Sequence, residues 1–457
     1  MTLPAGLNSR AGVLIAATFL TTLAVLPALY LDKLPLLAAA MVGLLLFALF
    51  FSRPFAALVL FAVLIPFEEV IVLPLLGTPT RLAGLIFFAT YLFHRQFRVN
   101  VRALPLVAWL WLLWAFMSLS WSLEPRFGAY FQLVQLVFMA WLVADFVSRD
   151  KTIIPKLLSY YTLSASVLAL LGIVNFMRGL DAGGFSQQTR TSGLEGQGVE
   201  HFAFYLLPAL FSALHFVFYA KSLSKRLFFA LLAGILATAI LASGTRGAWL
   251  SALGGLIIVY LPRLRIRQWI GLLIVVFASG FILMKVPAVS EFVAYRAGSA
   301  LESGGAGRLS IWKVSSAVFK DHPIRGVGFR NYEYTVSLQD FEEANFNIDY
   351  YYAFKPQVPH NIYLEVLLDQ GLVGFLLWAI WLGRLVFCPS KDKEWFMVYG
   401  FFIAYLIGGM TNPELNRKYF WITIGMVEGL RYAWFKAQSL KYNALEKQKA
   451  KAAIRYT

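Results

Sequence analysis

The side chain in this chain best suited to move a proton is His360, in the string Pro359-His360-Asn361. Imidazole changes charge near neutral pH, and this one follows a rigid proline and opens an apolar helix. Two arginines also sit where apolar runs meet loops: Arg190 in Thr189-Arg190-Thr191-Ser192-Gly193, and Arg246 in Ser243-Gly244-Thr245-Arg246-Gly247. A guanidinium grips phosphate oxygens in a bidentate fork and stays charged, and a helix N-terminus beside it adds free backbone N–H groups. A single arginine at a membrane boundary often only reaches up to lipid headgroups. Two on one face, each flanked by glycine and small hydroxyl residues, favour an anion site. A base and two such cations suit removal of a proton from an acceptor hydroxyl while a departing pyrophosphate is stabilised.

Other chemistries find little support. His94, His201, His215 and His322 are dispersed, with no H-E-x-x-H string and no Asp-rich cluster, so no metal site is expected. No Walker loop or dinucleotide fingerprint occurs, so neither ATP nor any other cofactor is expected. Cys388 is the only cysteine. It permits no disulfide within the chain and reads as an inert thiol in a cytoplasmic loop.

The elements that must position these residues are membrane spans. Of 457 residues, 59% are hydrophobic and 14% charged, and the mean hydropathy is +0.67. Soluble domains carry about a quarter charged residues, so this is an integral membrane protein. Apolar windows long enough to cross ~30 Å of hydrocarbon recur along the chain. They fall near 11–31, 34–51, 55–75, 80–94, 105–121, 127–147, 155–176, 200–220, 226–243, 247–262, 268–285, 362–384, 396–411 and 418–435. The first lacks a cleavage site and reads as a retained span. With the N-terminus cytoplasmic, 24 of the 40 Lys and Arg fall on the cytoplasmic side. The positive-inside rule then puts both termini in the cytoplasm. The net charge of +16 is thereby topogenic, and its scatter over short loops speaks against nucleic-acid binding.

The expected organisation is all-α and polytopic. An N-terminal transmembrane bundle (1–285) precedes a polar loop domain (286–361) facing outward. C-terminal spans (362–435) and a basic cytoplasmic tail (436–457) follow. The tail is either a solvated terminus or a helix on the anionic inner leaflet. Within the polar segment, Ile311, Val314 and Val318 have helical spacing, Asp321-His322-Pro323 ends that helix, and Gly326-Val327-Gly328 makes a turn. The aromatic run Tyr350-Tyr351-Tyr352 and Phe354 suits the membrane interface or stacking on sugar rings. The loop 177–199, rich in Gly, Ser and Gln, is too polar to cross and too short for a domain.

Taken in order, several strings resemble the O-antigen ligase and polymerase superfamily. They are Arg190-Thr191-Ser192-Gly193 and Ser243-Gly244-Thr245-Arg246-Gly247-Ala248-Trp249, then Gly307-Arg308-Leu309-Ser310-Ile311-Trp312 with His322-Pro323-Ile324-Arg325-Gly326-Val327-Gly328. Pro359-His360-Asn361-Ile362-Tyr363-Leu364-Glu365 follows, running on to Gly371-Leu372-Val373-Gly374. The resemblance covers roughly 185–375 in detail. It implies about twelve transmembrane helices with one large periplasmic loop, similar to metal-independent membrane glycosyltransferases, against the fourteen spans counted above.

The implied activity is glycan transfer from undecaprenyl pyrophosphate in the inner membrane. His360 would activate the acceptor hydroxyl, and Arg190 and Arg246 would hold pyrophosphate. Arg308 and Arg325 join the substrate-binding candidates, although loop arginines can equally pair with Glu302, Asp321 or Glu342. The single large outer loop favours a ligase, with undecaprenyl-pyrophosphate-linked O-antigen as donor and lipid A–core oligosaccharide as acceptor, at the periplasmic face and among membrane lipids. The alternatives are an O-antigen polymerase, a protein O-oligosaccharyltransferase and, from another class, a lipid or polysaccharide transporter. The last is disfavoured by the few acidic residues in the spans.

Overall fold

The computed structural model of the chain describes residues 53–69, 78–93, 100–178, 198–260, 308–347, 358–387, 393–412 and 415–455, with a few isolated positions between them. The described residues are helical and contain no strand. The chain divides into two compact units, 1–99 and 100–457. In the first, α1 (Pro54–Leu64) runs into a 3-10 turn and packs on α2 (Pro79–Phe93). The Thr80 hydroxyl donates to the Leu64 carbonyl at 2.9 Å.

The second unit holds the candidate site. Its helices are α3 (Leu106–Ser118), α4 (Phe127–Arg149), α5 (Ile153–Met177), α6 (Val199–Tyr219), α7 (Leu223–Ala242) and α8 (Arg246–Gly255). The polar segment adds α9 (Arg308–Asp321), α10 (Tyr332–Thr335) and α11 (Leu338–Glu343). Then come α12 (Ile362–Val386), α13 (Lys393–Gly408) and α14 (Lys418–Arg455). Helices α4, α5, α6, α7 and α12 are long and apolar enough to cross a bilayer. Several keep an outward apolar stripe at helical spacing. Leu163, Val167 and Leu170 on α5 are exposed, as are Leu106, Leu110 and Leu113 on α3. Such stripes on a helix already packed on its other face call for lipid. The chain is an all-α polytopic membrane protein.

Without a hydrophobic drive between helices in lipid, close packing depends on small residues. Gly425 and Gly429 of α14, four apart, face Ala140 and Ala144 of α4. A Cβ at Gly425 would stand 2.6 Å from the Ala140 carbonyl oxygen, and one at Gly429 would stand 2.5 Å from that of Ala144. The basic tail is no separate coil: α14 continues through it as one helix, and its described side chains from Phe435 to Glu446 are exposed.

The expected span 362–384 is not one uninterrupted helix. Gly371 has φ 64° and ψ −170°, which breaks α12. The backbone groups released by the break are satisfied by the turn after α9, as buried backbone polar groups require. The Leu368 and Asp369 carbonyls accept from Val327 N (3.0 Å) and Gly328 N (2.7 Å), and Leu372 N donates to the Pro323 carbonyl (2.9 Å). Val373 N donates to the Ile324 carbonyl (3.3 Å). Trp114 Nε1 covers the Gln370 carbonyl at 2.9 Å.

Helix α9 is placed by the expected residues. Val314 and Val318 enter a small core with Val327, Tyr332, Val336 and Phe341, and α12 contributes Leu368. The second anchor is polar. The Asp369 carboxylate accepts the backbone N–H groups of Arg330 (2.9 Å), Asn331 (3.2 Å) and Tyr332 (3.0 Å), so an α12 side chain caps α10. The third anchor is Asn331, whose amide bonds the backbone of Glu124 in both directions at 2.8 Å.

Candidate active site

The ends of several helices meet the polar segment. Trp312 Nε1 on α9 donates to the Pro359 carbonyl at 3.1 Å, fixing the chain just before His360. Asn361 then caps α12, its Oδ1 accepting from Tyr363 N (2.9 Å) and Leu364 N (3.2 Å). Ile362 N donates to the Gly409 carbonyl at 2.8 Å, at the end of α13. Between these two fixed points His360 has φ 49°, a left-handed conformation that disfavours a residue with a Cβ. Backbone held in that region by its surroundings is found where a side chain must be aimed.

The side chains around it bring three of the candidates together. Arg308, the first residue of α9, and Glu200, in the first turn of α6, are the charged groups that act on His360. Arg308 in turn feels Glu200 and Arg246. Arg246 opens α8 after the turn Ser243-Gly244-Thr245, in which Gly244 has φ 63°. Thr245 Oγ1 donates to the Val199 carbonyl at 3.4 Å, tying that turn to the start of α6. Neither Arg246 nor Arg308 forms an ion pair with a described carboxylate. Burial, reinforced by the Arg308 charge and opposed by Glu200, holds the His360 imidazole below its ordinary pKa, so the neutral, proton-accepting form is favoured. Burial likewise lowers Arg308, with Glu200 opposing and Arg246 adding.

The remaining candidates stand differently. Arg190 and most of the 177–199 loop lie outside the described residues, as do Glu302, Tyr350-Tyr351-Tyr352, Phe354 and Cys388. Arg325 is exposed and makes no described contact with His360, Arg246 or Arg308; its guanidinium lies 6.0 Å over the Trp121 ring.

Residues 227–379 match the family model described as O-antigen ligase. This stretch is similar to that family's domain and covers less than half of the chain. No curated protein and no solved structure shows significant similarity to the chain. The matched stretch supports a relation to the O-antigen ligase and polymerase superfamily of glycosyl-transfer enzymes. It contains Arg246, Arg308, Arg325 and His360, whereas Glu200 precedes it.

Sequence reasoning missed a second polar cluster at the same helix ends. Arg330, at φ 57°, is ion-paired to the buried Glu365 of α12. The Glu365 charge is the main reason Arg330 holds its proton more tightly than an ordinary arginine. Arg126 pairs with Glu333 at 3.1 Å and lies 4.5 Å over the Tyr334 ring. Arg417, ahead of α14, donates to His201 Nε2, which leaves that ring's proton on Nδ1. The available signal was Glu365 and Asp369, four apart and therefore on one face of an apolar helix. Acidic residues inside a span need partners, and these two find theirs at 330–332.

Proposed function

We propose that the protein is an O-antigen ligase, transferring polysaccharide from undecaprenyl pyrophosphate to a sugar hydroxyl of lipid A–core oligosaccharide at the periplasmic face of the inner membrane. The observation that carries this reading is the convergence of His360 with Arg308, Glu200 and Arg246 at the meeting of α6, α8, α9 and α12. His360 takes the proton of the acceptor hydroxyl. The oxygen attacks the anomeric carbon, and the bond from that carbon to pyrophosphate breaks with its electron pair. Undecaprenyl pyrophosphate departs, and the configuration inverts. Arg246 and Arg308, with no described carboxylate in ion-pair contact, are available to meet the charge on the leaving group. Arg190 and Arg325 are kept as further pyrophosphate ligands on sequence grounds. The ligase is preferred to a polymerase because the outer polar mass lies in one large loop, with only a short second loop at 177–199.

The test is transfer by purified protein from undecaprenyl-pyrophosphate-linked glycan to lipid A–core, with EDTA present and ATP absent. High-mass lipopolysaccharide that forms only when core is added is the expected product. Longer lipid-linked glycan without core attachment would establish a polymerase instead. A folded protein that binds donor without releasing undecaprenyl pyrophosphate would return the question to transport.

A further inference from the structure

The start of α6 and the backbone after His360 are gripped by one segment, the residues that join α13 to α14. Ile362 N, two residues after His360, donates to the Gly409 carbonyl at 2.8 Å. Thr411 lies against Gly247, the residue after Arg246. Arg417 donates to His201 on α6. The start of α6 is held a second time by the Thr245 hydroxyl, which donates to the Val199 carbonyl at 3.4 Å. Val199 and His201, the two neighbours of Glu200, are thus tied to the elements that carry the cluster. The Glu200 carboxylate acts on both His360 and Arg308. It is half-buried and forms no ion pair with a described cation, so its charge is not consumed by a salt bridge. Glu200 also precedes the stretch that matches the family model.

The charge balance of the cluster gives this carboxylate a task. A base that takes a proton on imidazole becomes a cation. Arg308 at the start of α9 acts on His360, and Arg246 at the start of α8 acts on Arg308. Like charges oppose an imidazolium. Two arginines suited to pyrophosphate would by themselves make His360 a poor base. Glu365 of α12 does not relieve this, because Arg330 is paired to it and Arg417 acts on it. Glu200 is the carboxylate that acts on the ring. Standing beyond salt-bridge contact, it works through space, so its charge matters more than any one hydrogen bond.

We propose that Glu200 is a positioning residue for the transfer, the carboxylate that stabilises the His360 imidazolium formed when the base takes the proton of the acceptor hydroxyl. The proposal rests on the glycosyl-transfer reading above. The proton passes from the hydroxyl to the imidazole, and is lost to water after undecaprenyl pyrophosphate departs. The test reads the ring as well as the reaction. Full-length protein carrying isotope-labelled histidine is titrated by NMR in detergent, with the His360 signal assigned by its loss in His360→Gln. Glu200→Gln removes the charge at nearly constant shape, and thermal melting establishes folding. Its His360 titration and the acid limb of kcat/KM should both move to lower pH, opposite in sign to the effect of removing Arg308. Its kcat for lipid A–core transfer should fall about tenfold, a part of the ~10²–10⁴-fold that a positioned base contributes. Glu200→Asp, which keeps the charge but withdraws it by one methylene, should move the titration the same way by less, and stands in if Glu200→Gln does not fold. An unmoved His360 titration in the folded variant would overturn the proposal, as would a lower kcat with the acid limb in place. No transfer by the unaltered protein would overturn the catalytic reading itself, whatever the titration shows.

Discussion

Replacing Gly371 with alanine tests whether the break in α12 is required by the structure. Its φ of 64° and ψ of −170° lie in a region of backbone space that is essentially restricted to glycine. Forcing a residue with a Cβ to hold that conformation costs about 1–3 kcal/mol. The new methyl would also stand 2.5 Å from Gly326 N, and the other close atoms are likewise backbone, which has no rotamer to yield. Relieving the clash means separating the 323–328 turn from α12. That breaks the Leu372–Pro323 and Val373–Ile324 hydrogen bonds, at roughly 1 kcal/mol each. The total is about 3–5 kcal/mol, large for a point substitution. Gly383→Ala on the same helix is the control, since a Cβ there meets nothing within 4 Å. It should be neutral or gain up to about 1 kcal/mol from helix propensity. Thermal unfolding in detergent should show Gly371→Ala melting well below the parent with transfer lost, and Gly383→Ala melting at or above it. Equal melting of the two variants would refute the reasoning, because it would mean that α12 can run straight through.

Other expectations concern the site and the helix contacts. His360→Ala should abolish transfer while the protein still inserts and melts normally; near-parental transfer would remove His360 from catalysis. Since burial and Arg308 depress the imidazole, the acid limb of kcat/KM should lie below pH 6.5, the ordinary value. Arg308→Gln removes one of the two depressing influences, so the limb should move to higher pH; an unmoved limb would break that link. The same depression has a stability consequence. The unfolded chain binds the proton more readily, so His360 contributes stability above its unfolded pKa that is lost as pH falls through the folded value. Arg246→Ala should weaken engagement of the lipid-linked donor, with Arg246→Lys a partial rescue; unchanged donor KM in both would leave Arg246 as a headgroup anchor. Gly429→Val should force α14 away from α4 and lower the melting temperature, because its Cβ would lie 2.5 Å from the Ala144 carbonyl.

Much of this was legible in the sequence because hydrophobic periodicity and span length are local signals. The spans expected at 127–147, 155–176 and 200–220 appear as α4, α5 and α6 with shifts of a few residues. Val314 and Val318 fill the core of the polar segment as their spacing implied. Glycine and small hydroxyl residues beside Arg246 marked a true break, since Gly244 takes the left-handed turn that lets α8 start there. What stayed hidden is long-range pairing. Nothing local to Asp369 says that it will cap residues 330–332, and nothing local to Gly371 says that the turn after α9 will take up its neighbours' hydrogen bonds. Glu200 likewise reads as a favourable acidic residue in a first helical turn. Only the fold sets it beside His360 and Arg308.

The pattern of anchoring explains how a polar segment can hold the His360 backbone accurately at the start of α12. Its apolar core is small and reaches completion only by drawing Leu368 from α12, with Leu364 packed alongside. Hydrophobic burial of that size would leave the segment free to slide. The directional contacts remove that freedom: three N–H groups converge on one buried carboxylate, Arg330 is ion-paired to another, and the break at Gly371 interlocks two backbones. Breaking any one of them leaves a buried polar group unsatisfied, which costs far more than an intact hydrogen bond contributes. Position is therefore fixed by penalty rather than by strength. The same α12 carries Glu365 and Asp369 and, through its Asn361 cap, sets the backbone of His360. Asp369→Asn should accordingly weaken the hold on 330–332 and lower kcat without contact between residue 369 and substrate. A fall in melting temperature with unaltered kcat per folded molecule would show that the clamp supports the fold alone.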